Sequence, residues 1–303
     1  MDHKNIFNTK EINIFDILRI IWQSKTFFIF NTSLFAIIGI IFALSLPNIY
    51  KSSTLLAPTE NSFVSSNNAF KNVASFAGIN IPNNTGNKSL EAVATIRSMK
   101  FFKENFLPNI HKPDLVAIKK WDSKSNNIVY DSEIYDASIE KWILKDSELN
   151  LSPSDLYMYS IYKSILSIVQ DENGFYILSI EHQSPIIAKK WVELITFQIN
   201  ELFRSIDKKT SSLSVDYLNL KILDTSYNEV KQVLYNLMKA ELQKLAVIES
   251  NESYIFRVID PPYVPEKKFL PKRSTIVVIF TFIGGLISII FTLIKYFRNS
   301  EKI

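Results

Sequence analysis

Two long runs of apolar residues without a charge stand near the two ends of the chain. They cover residues 26–46 and 274–294, and each is 21 residues long. As a helix, each run would extend about 31 Å, enough to cross the hydrocarbon core of a bilayer. Lys272, Arg273 and Lys295 bracket the second run, as interfacial cations do. The pattern therefore predicts two transmembrane helices that flank a large central region.

A cleaved signal peptide is the alternative interpretation of the first run, because Ala43, Leu44 and Ser45 resemble a cleavage site. The apolar core is too long for that class of segment, however. The lead-in before it also carries the acidic residues Glu11 and Asp16. We favour a retained membrane helix.

Basic residues near the ends of the two runs predict the orientation of the chain. Lys10, Arg19, Lys25, Lys295 and Arg298 flank the runs on the sides of the two termini. Positive charge in short segments stays in the cytoplasm, so both termini are expected inside the cell and the central region outside the membrane. The expected organisation is a cytoplasmic lead-in at 1–25, spans at 26–46 and 274–294, an outer domain at 47–273 and a cytoplasmic tail at 295–303.

Short β-rich runs in the central region predict a small sheet. They lie at residues 50–57, 165–170, 175–181 and 253–260. The sequence DENG, with Gly174 at its end, separates the second and third runs and predicts a β-hairpin. The sheet would form an α/β base from residues 47–184 and 252–260.

The first half of the base has weaker patterns. Residues 61–88 are rich in Ser, Asn and Gly and predict a long loop with a small helix at 70–76. Ser89 is expected to cap a helix that continues through residue 107.

The second half of the base is expected to be helical in short pieces. Residues 108–152 predict helices of one to three turns. Pro153 is expected to open a firmer helix that ends near Lys163.

The longest helical pattern covers residues 186–251, which contain neither Gly nor Pro. One helix of this length would reach about 99 Å, yet the next strand must return toward the second span, so the chain has to reverse. Ser211–Ser214 is one candidate for the reversal. The other is Ser226 followed by Glu229, a capping box, which we favour. The prediction is a hairpin at 185–251 with an apolar stripe that needs a partner. The stripe contains Ile195, Ile199, Leu202, Ile206, Leu213, Tyr217 and Leu220.

Residue types that carry chemistry are sparse and scattered. The three histidines, His3, His111 and His182, are isolated, and the chain has no cysteine. The six glycines form no phosphate-binding or nucleophile motif. Basic pairs such as Lys267–Lys268 lie beside a span and fit headgroup or glycan contacts better than nucleic acid. The sequence predicts no catalytic, cofactor-binding or metal-binding residue and no enzyme.

Small residues in the spans are candidate packing positions. Gly39 and Ala43 are four residues apart in the first span, and Gly284 and Ser288 have the same spacing in the second. Gly285 lies on an adjoining row. Small side chains let transmembrane helices approach closely, either within the chain or between subunits.

A stiff connection precedes the second span. Pro261, Pro262, Pro265 and Pro271 fix the backbone between residues 261 and 273, and Lys272 follows them. We expect a semi-rigid extended strut that would transmit loads from the outer domain to the span.

With these features together, the chain resembles the polysaccharide co-polymerases, in particular the Wzz-like chain-length determinants of lipopolysaccharide O-antigen. The segments that carry the resemblance are EINIFDILRIIWQSK, LPNIYKSSTLLAP, FAGINIPNNTGNKSLEAVATIRS, YILSIEHQSPIIAKKWV and FRVIDPPYVPEKKFLPKRS. The resemblance implies an α+β protein of the bacterial inner membrane, with a periplasmic α/β base and a long α-helical hairpin, that forms a bell-shaped homo-oligomer. It also implies a non-enzymatic role with a Wzy-type polymerase and lipid-linked polysaccharide.

The resemblance also assigns a functional motif to named positions. They are Pro261, Pro262, Pro265, Pro271, Lys272, Gly284 and Gly285. Where relatives have Gly-x-x-x-Gly, this chain has Gly284 and Ser288. Three other functions remain open: a co-polymerase for capsule or exopolysaccharide, a two-span periplasmic sensor or adaptor, and an enzyme that acts on glycans.

Overall fold

The structure is a computed structural model that describes residues 22, 24–59, 88–143, 152–251 and 253–300. The expected small helix at 70–76 and almost all of the lead-in lie outside these ranges. The chain forms two compact units. One contains the segments around the apolar runs, 1–48 and 269–303, and the other contains residues 49–268.

The first unit is an antiparallel pair of apolar helices, α1 (Lys25–Ser45) and α8 (Arg273–Ser300). Both are long and apolar enough to cross a membrane. Their rings meet at two levels, with Phe27 against Phe291 at 5.5 Å and Phe42 against Phe280 at 5.6 Å between centroids. The two predicted helices are therefore present and are packed along their length.

The second unit is built on a four-stranded antiparallel sheet in the order β6-β7-β1-β8. The strands are β1 (Tyr50–Pro58), β6 (Leu166–Gln170), β7 (Tyr176–His182) and β8 (Phe256–Asp260). The four predicted runs thus form one sheet, with β1 in its interior. The DENG turn joins β6 to β7, where the Asp171 carboxylate accepts from two backbone N–H groups and Gly174 has φ 86°.

The segment from 108 to 143 is not the series of helices that its composition suggested. Only α4 (Lys112–Val116) is α-helical; the rest contains two small hairpins. These are β2 (Ile118–Asp122) with β3 (Asn127–Tyr130), and β4 (Tyr135–Asp136) with β5 (Lys141–Trp142). Asn126 adopts φ 53° in the first turn and accepts from the Trp121 indole, which favours the reversal.

The helix expected at 90–107 is broken in two. Helix α2 (Lys88–Ile96) contains Ser89 within it, so Ser89 is not its cap. Ser98 instead caps α3 (Met99–Phe101) by accepting from the Phe101 N–H, and a π-helical turn, Phe102–Phe106, follows. The wider turn allows Phe101, Phe102 and Phe106 all to point into the core.

Helix α5 (Asp155–Ile165) begins two residues later than Pro153 suggested. Ser154 is the N-cap, and its hydroxyl accepts from the Tyr157 N–H at 3.2 Å. Pro153 lies before the cap and is buried.

The long hairpin is confirmed. Helix α6 (Pro185–Asp224) begins after the N-cap Ser184, and α7 (Asn228–Ser250) returns. The reversal occurs at residues 225–227, as the second candidate predicted. The capping box does not form, because Tyr227 is the N-cap and makes no side-chain cap bond.

The core lies where α6 crosses the sheet. Leu178 and Ile180 from β7 are fully buried against Ile195 and Ile199 from α6. An aromatic cluster closes one end, with rings 4.8 to 5.4 Å apart. It contains Phe102, Phe106, Tyr162 and Trp191.

Asn200 joins the return of the hairpin to the sheet. Its buried Oδ1 accepts from the backbone N–H groups of Tyr254, Ile255 and Phe256 at 3.2, 2.7 and 2.9 Å. Its Nδ2 donates to the Phe256 carbonyl at 3.1 Å. These bonds explain why β8 begins at Phe256 and not at residue 253, since the preceding N–H groups point to α6.

Asn200→Ala should lower the free energy of unfolding by about 3 kcal/mol, because it leaves several buried backbone N–H groups without an acceptor. Chemical denaturation of the full chain in detergent would measure the loss. Asn236→Ala, on the exposed face of α7, is the matched control and should change the free energy of unfolding by less than about 0.5 kcal/mol. Equal effects of the two substitutions would contradict the prediction.

His182 is a second joint of the base, at the end of β7. Its Nδ1 accepts from the Ser184 N–H at 2.9 Å, and its Nε2 donates to the Asp114 carbonyl at 2.9 Å. This pattern fits the neutral ring. Burial lowers the pKa of His182 below its ordinary value of 6.5, and hydrogen bonds to the Asp114 and Ser184 carbonyls oppose the shift only in part.

The stability of the protein should therefore fall as the pH drops below about 6.5. In that range the unfolded chain binds a proton at residue 182 that the folded chain excludes, so acid favours unfolding; above 6.5 this contribution is fully present. Unfolding midpoints measured from pH 7.5 to 5 would test it. His182→Gln should show a smaller slope over the same range, and an unchanged slope would refute the assignment.

Candidate functional site

The proline-rich segment that leaves β8 is fastened to β1 by side-chain hydroxyls. Ser52 Oγ donates to the Tyr263 carbonyl at 2.8 Å, and Thr54 Oγ1 donates to the Asp260 carbonyl at 2.7 Å. Both hydroxyl residues are buried. Pro261 and Pro262 have no N–H to continue a ladder with β1, so the hydroxyls replace backbone bonds along this edge.

The prolines of this segment differ in their surroundings. Pro261 is exposed, Pro262 is half-buried and Pro265 is buried within the second unit. Pro271 is half-buried in the first unit, and Lys272 beside it is exposed. The residues of the predicted motif are thus divided between the two compact units.

Two glycines determine how closely the apolar helices approach. A Cβ added at Gly39 would lie 2.7 Å from the Phe280 Cβ, and one added at Gly284 would lie 2.5 Å from the Phe35 Cβ. In each helix, the space beside the glycine is therefore occupied by a phenylalanine side chain of the other helix. The arrangement is reciprocal, because each helix supplies one glycine and one phenylalanine.

Other small residues continue the same contact surface. Ala43 in α1 is 1% exposed, and Ser288 and Thr292 in α8 are also buried. Gly285 lies off this surface, since the atom nearest to an added Cβ is Phe28 Cζ at 3.8 Å. The four-residue spacing of small side chains identified these positions in the sequence. Nothing in the sequence identified Phe35 and Phe280 as their partners.

Arg273, at the first turn of α8, has a partner that the sequence did not suggest. Its Nη2 donates to the Asn48 Oδ1 at 3.2 Å. The contact joins the residues that follow α1 to those that begin α8. An Asn two residues after an apolar run is too common to be a signal.

Titratable groups with unusual surroundings have structural roles. Tyr130 donates to the Asp114 carboxylate at 2.5 Å, and His111 Nδ1 lies 3.3 Å from the same oxygen. Burial, followed by the Asp114 carboxylate, raises the pKa of Tyr130, so its hydroxyl remains a donor. Within the described ranges, no three His, Cys, Asp or Glu side chains gather closely enough to hold a metal ion.

Family models match both ends of the chain. The model described as the Wzz chain length determinant protein matches residues 10–104, which include α1, β1 and α2. This part of the chain is therefore similar to the Wzz chain length determinants. A second model, the G-rich domain on putative tyrosine kinase, matches residues 219–297, which include α7, β8, the prolines and most of α8.

Individual relatives are distant from this chain in sequence. A tyrosine-protein kinase, ptk, of Acinetobacter johnsonii is 28% identical over 111 residues, which are 35% of this chain and 15% of the kinase. A full-length bacterial polysaccharide co-polymerase is 11% identical, with a TM-score of 0.42 over 96% of this chain and 98% of the other. A fragment of WzzB from Salmonella Typhimurium is 10% identical, with a TM-score of 0.34 over 73% of this chain and 99% of the fragment.

Gly284→Ala should separate α1 and α8, because the new methyl group would collide with the Phe35 side chain at its root. Spin labels on cysteines introduced at Ile41 and Val278, which are 64% and 66% exposed, would report the distance in a chain without native cysteine. The distance should increase and its distribution should widen.

Gly285→Ala is the matched control, since its methyl group would meet only ordinary van der Waals contact at 3.8 Å. It should leave the distance between the labels unchanged. A Gly284→Ala protein with the parental distance would show that the reciprocal glycine contacts do not set the separation.

Proposed function

We propose that this Wzz-like chain is a non-enzymatic regulator of polysaccharide chain length. It acts as a homo-oligomeric scaffold in the bacterial inner membrane, together with a Wzy-type polymerase and lipid-linked polysaccharide. Lipopolysaccharide O-antigen is the proposed polymer.

The observation that carries this proposal is that the two family matches contain the two strands, β1 and β8, that pair with each other. The Wzz model includes β1, and the second model includes β8 and the prolines. These two matched segments, from opposite ends of the chain, are paired strands, with Leu56 opposite Val258. The Ser52 hydroxyl extends the joint to Tyr263. The two matches thus include strands that pair with each other in one compact unit.

The proposed membrane topology follows from the charge pattern and the helices. Residues 26–46 and 274–294 cross the membrane, residues 1–25 and 295–303 lie in the cytoplasm, and residues 47–273 lie in the periplasm. The helices α1 and α8 have the length and composition that this arrangement needs.

Self-association is supported by the apolar stripe on the hairpin. Beyond the base, Ile206, Leu213 and Leu220 are 49, 59 and 64% exposed, although α7 packs on the opposite side of α6. Exposed apolar surface of this extent favours a protein partner, and a second copy is the proposed one. The returning helix adds exposed apolar positions at Tyr227, Val230, Val233, Tyr235 and Leu242.

The proline-rich segment is proposed to connect the outer domain mechanically with the second span. Pro265 is buried and Ser52 holds Tyr263, so the first part of the segment is fixed on the base. We propose that a displacement of this segment is transmitted to the second membrane helix. The residues proposed for this transmission are Pro271, Lys272, Gly284, Gly285 and Ser288.

Control of capsule or exopolysaccharide length is the second candidate. The G-rich domain model and the kinase match both refer to tyrosine kinases, which favours a system that includes such a kinase. The same scaffold mechanism would then act on another polymer.

Deletion of the gene should change the surface polysaccharide of the source bacterium from a modal cluster of lengths to a random ladder on a gel. The plasmid-borne gene should restore the cluster. A ladder that is unchanged for lipopolysaccharide but altered for capsule or exopolysaccharide would select the second candidate. If no polymer changes in length, chain-length control is refuted.

Replacement of both Pro265 and Pro271 by Ala should shift the modal length while the protein still forms oligomers. The substitutions loosen the connection without touching the stripe on α6. Gel analysis of the polymer and mass measurement of the purified oligomer would be compared. Pro108→Ala, at an exposed position of the base, is the control and should change neither. Dissociation of the double variant would assign these prolines to assembly instead.

A further inference from the structure

Two rows of residues, each with a spacing of four, form the contact between α1 and α8. The row on α1 passes through Phe27, Asn31, Phe35, Gly39 and Ala43. The row on α8 passes through Phe280, Gly284, Ser288 and Thr292. Residues at this spacing lie on one face of a helix, so the two rows face each other along the pair.

Three contacts fix the antiparallel register of these rows. Gly39 meets Phe280, Phe35 meets Gly284, and Phe27 stacks on Phe291. Asn31 lies midway between Phe27 and Phe35, and Ser288 lies between Gly284 and Phe291. The register therefore places Asn31 at the level of Ser288, with Thr292 one turn further along α8.

The polar groups at this level have no hydrogen-bonding partner in the described part of the chain. Ser288 is 0% exposed and Thr292 is 7% exposed, and both hydroxyls are buried and unpaired. Asn31 is half-buried, and its side chain forms no hydrogen bond with a described residue. An amide and two hydroxyls thus occur together within a pair of otherwise apolar helices.

Neighbouring hydroxyls in the same helices behave differently. Thr32 Oγ1 donates to the Phe28 carbonyl at 2.7 Å, and Thr281 Oγ1 donates to the Val277 carbonyl at 2.8 Å. Both are satisfied within their own helix, as hydroxyls in membrane helices commonly are. The lack of partners is therefore a property of the side chains on the two contact rows, and not of polar residues in these helices in general.

A carboxamide inside a bilayer has a strong requirement for partners. It offers two donors and an acceptor, and the hydrocarbon region contains no water to satisfy them. Polar side chains at such positions stabilise association with further helices and commonly mark functional contacts. Because Asn31 is only half-buried by α8, part of its amide remains accessible at the side of the pair.

We infer that the accessible part of the Asn31 amide forms an intramembrane hydrogen-bonding site for the Asn31 amide of a second copy of this chain. An amide is both donor and acceptor, so an identical amide satisfies it from the neighbouring copy. The buried hydroxyls of Ser288, at the same level, and of Thr292, one turn further along α8, lie on the inner side of Asn31 within its own copy and are unpaired. The inference rests on the proposed homo-oligomer and adds a specific contact within the membrane.

The first test uses the full chain in native membranes and its lack of cysteine. A single cysteine is introduced as Asn31→Cys, and disulfide-linked dimers are counted on a gel after mild oxidation. Cross-linking between copies should be several times more efficient than for Phe30→Cys, whose position is 71% exposed and adjacent in sequence. Equal efficiency at the two positions would overturn the inference.

The second test compares oligomer formation by the purified full chain in lipid nanodiscs or mild detergent. Asn31→Leu should weaken association about tenfold, while Asn31→Gln, which retains the amide, should preserve it. Thr32→Val is the matched control, because the Thr32 hydroxyl is already satisfied within α1, and it should have no effect.

The outcomes separate this inference from the proposed function. If the unsubstituted chain is a monomer, the proposed scaffold itself fails. If that chain is oligomeric and Asn31→Leu associates equally well, only the intramembrane contact is refuted. If Asn31→Leu instead separates the spin labels at Ile41 and Val278 within one copy, Asn31 serves the helix pair alone and the inference is wrong.

Discussion

The antiparallel pairing of β1 with β8 is the interaction on which the rest of the structure depends. These strands come from opposite ends of the region between the two apolar helices, with Pro58 opposite Phe256. Bringing them together closes a very long loop. The chain loses conformational entropy in this step, and contacts made elsewhere must offset the loss. Asn200 contributes part of the offset, since it binds the N–H groups that enter β8 and holds them to α6. The strand pair and the first half of α6 therefore form as one structure.

The long helix α6 changes its role along its length as a consequence. Its first half is buried on the sheet at Trp191, Val192, Ile195 and Ile199. Beyond Phe203, α7 packs along one side of it, and Leu213 on the other side is exposed. The same helix is thus anchored at one end and presents apolar surface at the other. This division lets one sequence pattern specify both the fold and the proposed assembly surface.

The sequence allowed prediction of those elements whose signals are local and long. The apolar runs, the strands beside DENG and the reversal near residue 226 were of this kind. The helix expected through residue 107 failed because burial of Phe101, Phe102 and Phe106 together requires a π-turn, which helical periodicity does not encode. The prediction of short helices at 118–142 was wrong because the hairpins found there depend on turn geometry at Asn126 and Glu140, both of which have positive φ.

The candidate site was predictable to a similar degree. Spacing alone placed Gly39 and Gly284 on packing surfaces, but the phenylalanines that fill the space above them depend on register between distant helices. The significance of Asn31 emerges only when Ser288 is found buried and unpaired at the same level. Ser52 and Thr54 gave no signal either, since short hydroxyl residues are frequent in strands. Long-range pairings of this kind require the fold before they can be recognised.

The prolines after β8 then have a physical explanation beyond stiffness. Further residues with N–H groups at 261 and 262 could have continued the ladder with β1 toward Tyr50. Without those donors, the carbonyls of Asp260 and Tyr263 accept from the Thr54 and Ser52 hydroxyls. A backbone N–H group that leaves a ladder loses its hydrogen-bond acceptor. Proline has no N–H group, so it loses no such bond when it leaves the sheet. The segment is therefore fixed on the sheet, yet its departure from the sheet would break few bonds, which is compatible with the mechanical connection proposed for it.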